Sequence, residues 1–261
     1  MPDAAAVLEG VSKSYKIGSG GSIRVLEDLS LTAERGSFVA VLGPSGCGKS
    51  TILGILAGLL PQDVGVARIP ARHEIAYVFQ TARLLPWRTI EQNLEITRAA
   101  RLKQRGRAYQ RSTSDYLKAA GLAQYRSFYP AAISGGMQQR ASIARALSVE
   151  PTMLLMDEPF SALDELTART QREFLLRTWH DYQSTIIFVT HNVLEAITLA
   201  TSIVVVSARP ARVLERIDVD IARPRSLTDP RVGALQDRIL ALLGVGGAAP
   251  APQREPSMSI S

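Results

Sequence analysis

Gly43-Pro44-Ser45-Gly46-Cys47-Gly48-Lys49-Ser50-Thr51 fits the phosphate-binding pattern G-x-x-x-x-G-K-[ST], with glycine in both required places. The apolar run Phe38-Val39-Ala40-Val41-Leu42 predicts a strand entering this loop, and Ile52-Leu53-Gly54-Ile55-Leu56 predicts a helix that opens at Lys49 and leaves it. Such a strand must turn tightly for successive backbone N–H groups to converge on phosphate oxygens, and glycine permits the turn. Lys49 then brings a positive charge to the β and γ phosphates, Ser50 offers a hydroxyl to Mg²⁺, and the helix start presents its positive dipole end. All nine residues are candidate nucleotide contacts. A glycine-rich turn that matched by chance would lack this strand-before, helix-after context.

Working outward, 261 residues with 46% hydrophobic content suffice for a packed core in one large domain or two small ones. The formal charge of +6 suits nucleic acid, an anionic membrane surface or a nucleotide, and an ordinary basic surface accounts for it as well. Cys47 is the one cysteine, which excludes an internal disulfide and favours the cytosol. No apolar run approaches the roughly 20 residues of a membrane span. The start, Met1-Pro2-Asp3-Ala4-Ala5-Ala6, lacks the basic and apolar regions of a secretion signal. Action at a membrane is therefore expected to run through a partner.

Upstream of the loop, Val7 to Val11 and Ile23 to Leu31, the latter broken by Glu27-Asp28, predict strands separated by turns at Gly18-Ser19-Gly20-Gly21-Ser22 and Glu34-Arg35-Gly36. Leu59-Leu60-Pro61 is expected to end the helix, a short connection to follow, and Glu74 to Gln80 to form another strand closed by Gln80. Between Thr89 and Ala120 the chain turns Arg- and Ala-rich with a 3.6-residue period interrupted near Gly106, which predicts two or three helices of a separate subdomain. Its basic residues read as a solvated face. A further helix is expected from Ser134, its cap, through Ala146. Strands at Met153 to Met156, Thr185 to Val189 and Ile203 to Val206 then alternate with helices at about 164–182 and 193–200, as a parallel sheet requires. Ile217, Val219 and Ile221 alternating with Asp218 and Asp220 suggest a half-exposed strand, and Pro230 to Leu243 a closing helix. The Gly-, Ala-, Pro- and Ser-rich stretch 244–261 is expected to be a disordered tail.

A phosphate loop alone serves kinases, GTPases, helicases and transport motors, so the discriminating stretches lie downstream. Met153-Leu154-Leu155-Met156-Asp157-Glu158-Pro159 delivers two adjacent carboxylates to the end of a strand. At that exit they can divide two tasks, Asp157 turning to Mg²⁺ and Glu158 to an attacking water. Ile133-Ser134-Gly135-Gly136-Met137-Gln138-Gln139-Arg140 resembles the Leu-Ser-Gly-Gly-Gln signature of the ATP-binding cassette (ABC) family, departing at Ile133 and Met137 with apolar residues. A helix start with Ser and two Gly is again suited to an anion.

The resemblance, covering about Val7 to Val206, implies an α/β P-loop NTPase of the ABC ATPase type. It has a β-rich N-terminal part, a parallel-sheet core and a helical subdomain. The expected arrangement is one domain over 7–243, with core 7–80 and 150–225, helical subdomain 81–149 and a closing helix at 230–243. By the same resemblance, Gln80 senses Mg²⁺ and the attacking water, Ser161-Ala162-Leu163-Asp164 crosses a dimer interface, and His191 contacts the γ-phosphate. Asn192 stands where the family often has aspartate. Tyr15 resembles the aromatic that stacks on adenine, a core position being the alternative. His73 and His180 read as surface residues. One phosphate loop and one signature cannot make a complete site in one chain. The resemblance therefore implies a head-to-tail homodimer, with ATP on one chain covered by Ser134, Gly135, Gly136 and Gln138 of the other and approached by its Asp164.

Leu84-Leu85-Pro86-Trp87 and Ser207 to Arg225, with Arg209-Pro210, resemble the importers of nitrate, sulfonates and taurine. In these importers the Trp87 region lies beside the groove that receives the permease. An ATP-hydrolysing subunit of a bacterial small-anion importer is thus expected, peripheral on the cytoplasmic face of the cell membrane. Its expected partners are permease subunits and, indirectly, an external binding protein, with no nucleic acid. A cassette of another importer or an exporter is the alternative within the family. A soluble ABC ATPase of ribosomes or DNA is the alternative outside transport, though one cassette and no heptad run speak against it. A protein that binds ATP without hydrolysing it is disfavoured by the presence of Glu158, Gln80 and His191.

Overall fold

The computed structural model describes residues 4–18, 20–105, 108–161, 163–182 and 184–245. Ser19 of the first turn, the helix interruption at Gly106, Ala162 of the expected crossing loop and residues 246–261 of the expected tail lie outside the described residues. Two sheets and a group of helices make up the fold. The strands β1 (Ala4–Ile17) and β2 (Gly21–Glu34) form a long antiparallel pair, and β4 (Val64–Arg68) adds to the free edge of β1, giving the order β2-β1-β4.

The second sheet has six strands in the order β5-β6-β7-β3-β8-β9, comprising β3 (Phe38–Leu42), β5 (Ile75–Val78), β6 (Met153–Asp157), β7 (Thr185–Thr190), β8 (Ser202–Val206) and β9 (Val213–Asp218). The first five are parallel and β9 is an antiparallel edge. Every residue of β3, β7 and β8 is buried, which is why these segments are continuous apolar runs rather than alternating ones. Phe38, Ala40 and Leu42 of β3 pack on one face with Phe188, Ile203 and Val205. Val39 and Val41 pack on the other, against α1 (Lys49–Leu56) and the first sheet. Ile52, Leu53, Ile55 and Leu56 of α1 fill the space between the two sheets, each contributing about 1.5–3 kcal/mol by burial. The phosphate loop is thus anchored at both ends in core.

Four local expectations are corrected. The connection after α1 contains β4, whose Gly65 (φ +89°) weakens the strand pattern. A Cβ there would lie 2.5 Å from the carbonyl oxygens of Glu9 and Gly10. Helix α1 stops at Leu56 rather than near Leu60, because Gly58 takes the left-handed conformation (φ +64°) and the N–H groups of Leu59 and Leu60 fold back onto Gly54 O. The strand before Gln80 spans only Ile75–Val78, leaving Glu74 in a 3-10 turn and Gln80 two residues beyond the strand. The strand near Ile217 is Val213–Asp218; beyond it Val219 N still bonds Thr201 O at 2.9 Å, while Ile221 is buried in irregular chain, so the alternation outlasts the strand itself.

The helices α2 (Ile90–Arg105), α3 (Thr113–Ala119) and α4 (Gly135–Ser148) pack together beside β5. Fully buried Asn93 ties the preceding loop to α2: its Oδ1 accepts from Leu85 N at 2.7 Å and its amide donates to Leu85, Arg88 and Thr89 carbonyls. That loop holds Trp87 outward, 68% exposed. Helices α5 (Glu165–Tyr182), α6 (Val193–Leu199) and α7 (Pro230–Leu242) complete the chain. His73 and His180 are exposed, as their sequence context suggested.

Candidate functional site

The loops after β5, β6, β7, β3 and β8 lie side by side at the carboxyl ends of adjacent parallel strands, the usual place for a ligand in an open α/β sheet. They carry, in that order, Gln80, the Asp157-Glu158 pair, His191, the phosphate loop and Arg209. Sequence separation of more than 100 residues is cancelled by strand order alone.

Lys49 is 5% exposed, and its Nζ donates to Gly43 O and Pro44 O at 2.9 Å each. The same Nζ is 3.6 Å from Glu158 Oε1. His191 Nδ1 is 3.0 Å from Glu158 Oε2, so the carboxylate is held between a lysine and an imidazole. Glu158 itself has φ +42°, a left-handed conformation uncommon outside glycine, with its N–H bonded to Val189 O of β7. The backbone strain aims the side chain across the phosphate loop rather than along the strand.

Ser50 Oγ donates to Asp157 Oδ1 at 3.2 Å, and Tyr77 OH donates to Asp157 Oδ2 at 3.4 Å. Burial raises the Asp157 carboxyl above its ordinary range, with the two hydroxyls opposing. Burial, and then the Asp157 charge, push the Tyr77 phenol up, so it stays a donor. Tyr77 was missed in the sequence because it reads as one more strand aromatic. Gln80 Nε2 reaches Ser161 Oγ at 3.4 Å, which links the β5 loop to the chain after Glu158.

Helix α1 begins without a side-chain cap after Gly48 (φ +124°), so its leading N–H groups face the loop. A cavity opens there, lined by Tyr15, Val25, Gly46, Lys49, Thr51, Glu158 and Arg209 among others. Tyr15 OH lies 3.3 Å from Thr51 Oγ1. The Tyr15 side chain is 38% exposed, at the rim rather than in the core. Ser45 is exposed beside the cavity, and Cys47 is buried beneath it, its thiol pushed up chiefly by burial. A Cβ on Gly48 would meet Val25 Cγ1 at 2.7 Å. Gly48→Ala is therefore expected to destabilise the fold by about 1–3 kcal/mol, read as a lower urea midpoint at unchanged slope.

The signature residues are elsewhere. Ser134 caps α4 by accepting from Met137 N at 3.3 Å. Gly135 is exposed with nothing near its Cβ direction, and Gly136 packs beside Thr167 and Leu163. Gln138 donates to Pro130 O and Ile133 O at 3.0 and 3.3 Å, which stiffens the approach to the helix. Asp164 accepts from Thr167 N at 3.0 Å, and the Thr167 hydroxyl, then this N–H, holds its carboxyl below the ordinary range. None of Ser134, Gly135, Gly136, Gln138 or Asp164 lines the cavity at the phosphate loop of the same chain.

The family described as ABC transporter matches residues 26–161. The chain is 38% identical over 247 residues to the aliphatic sulfonates import ATP-binding protein SsuB of Bacillus cereus (strain ATCC 10987 / NRS 248), covering 92% of this chain and 96% of that protein. It is 36% identical over 242 residues to the SsuB of Bacillus subtilis (strain 168), covering 90% and 93%. Among solved structures it is similar to the dimeric post-hydrolysis state of the ATP-binding cassette MJ0796 bound to ADP and Pi, with TM-score 0.71, 29% identity and coverage of 83% and 100%.

Proposed function

The chain belongs to the ABC transporter family, and from that membership we propose that it is the ATP-hydrolysing motor subunit of a bacterial importer for small anions of the sulfonate, nitrate and taurine type. The observation that carries the mechanism is Glu158 held between Lys49 and His191 at the mouth of the phosphate loop. In this reading Tyr15 receives the adenine, and backbone N–H groups over 43–51 receive the phosphates. Glu158 orients the attacking water and accepts its proton as the water oxygen bonds to the γ-phosphorus and the bond to ADP breaks. Lys49 offsets the charge that develops, and His191 holds the Glu158 carboxylate in line.

The oxygen-only set of Ser50 and Asp157, joined at 3.2 Å, with Gln80 on the adjoining loop, fits Mg²⁺, which takes few protein ligands beside nucleotide phosphates. When bound, Mg²⁺ would be held by Ser50 and Asp157 and would supply positive charge to offset that of the nucleotide phosphates. Because the signature lies away from its own phosphate loop, a second copy supplies Ser134, Gly135, Gly136 and Gln138 to each site, its Asp164 approaching across the interface.

No helix among the described residues is long and apolar enough to cross a membrane. In this reading the chain sits at the cytoplasmic face by docking on permease subunits, as the import ATP-binding proteins it resembles suggest. Trp87, presented by the Asn93-braced loop, is the candidate contact. The substrate class comes from the sulfonate import proteins to which the chain is similar over nearly its whole length. The test is gentle detergent extraction of the tagged chain from its native membranes with mass identification of its companions. Recovery of a multi-span permease, and ATPase stimulation in vesicles by a binding protein loaded with an alkanesulfonate, are the expected results. Recovery of ribosomes or nucleic acid alone would overturn the importer reading.

A further inference from the structure

We propose that Arg209 is a second phosphate-binding cation of the nucleotide pocket, acting beside Lys49; this rests on reading that pocket as an ATP site. Arg209 follows β8, the neighbour of β3 in the sheet, and its side chain lines the same cavity as Lys49, Thr51 and Tyr15. Its Nη2 donates to Gly46 O, inside the phosphate loop, at 2.6 Å.

The loop that carries it is fixed before any ligand arrives. Ser207 Oγ lies 2.9 Å from Ala208 O and 3.1 Å from Pro210 O, and accepts from Arg212 N at 3.0 Å. Ala211 N donates to Val25 O at 2.8 Å, and Ala211 O accepts from Glu27 N at 3.1 Å. The loop is thereby sewn to β2, the strand whose Val25 packs over Gly48. A guanidinium held this way loses little further freedom on binding an anion.

Its charge is also left for the pocket. Arg24 and Arg212 share the Glu27 carboxylate at 3.0 and 2.8 Å, and they hold that carboxyl below its ordinary range, Arg212 more than Arg24. Among the described residues no carboxylate pairs with Arg209. One N–H bond to Gly46 leaves other donors of the planar fork to meet phosphate oxygens, a geometry suited to two-point contact.

The test is calorimetric titration of the full chain with ADP and Mg²⁺, comparing the parent, Arg209→Gln, Arg209→Ala and Lys49→Ala. Arg209→Gln removes the charge and, ending two bonds short of Nη2, gives up the bond to Gly46 O as well, so that salt dependence is what separates lost charge from lost bracing. It is expected to weaken ADP binding about tenfold, with the gap to the parent narrowing as salt rises, and to melt as the parent does without nucleotide. Arg209→Ala is expected to weaken binding at least as much. Parent-like affinity in Arg209→Gln would reduce Arg209 to a staple on the loop and overturn the proposal, as would a loss insensitive to salt. Lys49→Ala separates the two readings: if it binds ADP as the parent does, the pocket assignment itself fails. If it alone loses binding, only the role of Arg209 fails.

Discussion

Glu158→Gln is expected to bind ATP as tightly as the parent and to hydrolyse it at least about a hundredfold more slowly. The substitution is nearly isosteric. An amide still fills the space between Lys49 Nζ at 3.6 Å and the His191 ring at 3.0 Å, and the left-handed backbone at φ +42° is unchanged in demand. What disappears is a base for the proton of the attacking water. Binding and turnover should therefore separate, and ATP should accumulate uncleaved in the paired state. Phosphate release in a single turnover, run beside equilibrium nucleotide binding, reads both quantities. Hydrolysis at the parent's rate would sink the assignment of Glu158, while a joint loss of binding would mean that the carboxylate supports the loop rather than the chemistry.

The second large effect is on binding. Lys49→Ala is expected to lower ATP affinity about a hundredfold or more, since it removes the buried cation of the loop and leaves Glu158 without its nearest positive partner. The Gly43 and Pro44 carbonyls lose their shared donor as well, so the empty loop also becomes less well ordered. Lys49→Arg is not expected to rescue: the two carbonyls and the carboxylate enclose a compact ammonium, and a planar guanidinium is a different shape. Titration of a fluorescent ATP analogue checks this, and undiminished affinity would count against the whole reading of the loop.

Much of this site was legible in the sequence because its parts are local. The loop from Gly43 to Thr51, the carboxylates after Met156 and the serine cap of α4 each state their chemistry within a few residues, and β3, α1 and β6 follow from short apolar runs. Non-local features were not legible. Strand β4 exists only because β1 offers it an edge, and its pattern is broken by Gly65, so nothing within the segment announces it. Tyr77 matters through Asp157, 80 residues on, and Arg209 through Gly46, 163 residues away. The displaced strand at Val213–Asp218 has the same origin. Alternation near Ile217 records burial, and burial alone does not say whether the backbone pairs.

The distance between Ser134 and the phosphate loop of its own chain has a genetic consequence. A cell carrying two defective alleles, one encoding Lys49→Ala and the other Ser134→Arg, makes mixed pairs as well as pure ones. In the head-to-tail pairing proposed above, both lesions of a mixed pair fall on the same composite site, and the opposite site is assembled from an intact lysine and an intact serine. The two alleles should therefore complement each other and restore partial uptake, although each alone is null. Had loop and signature met within one polypeptide, every chain would be broken somewhere and no combination of the two alleles would support growth on the imported nutrient.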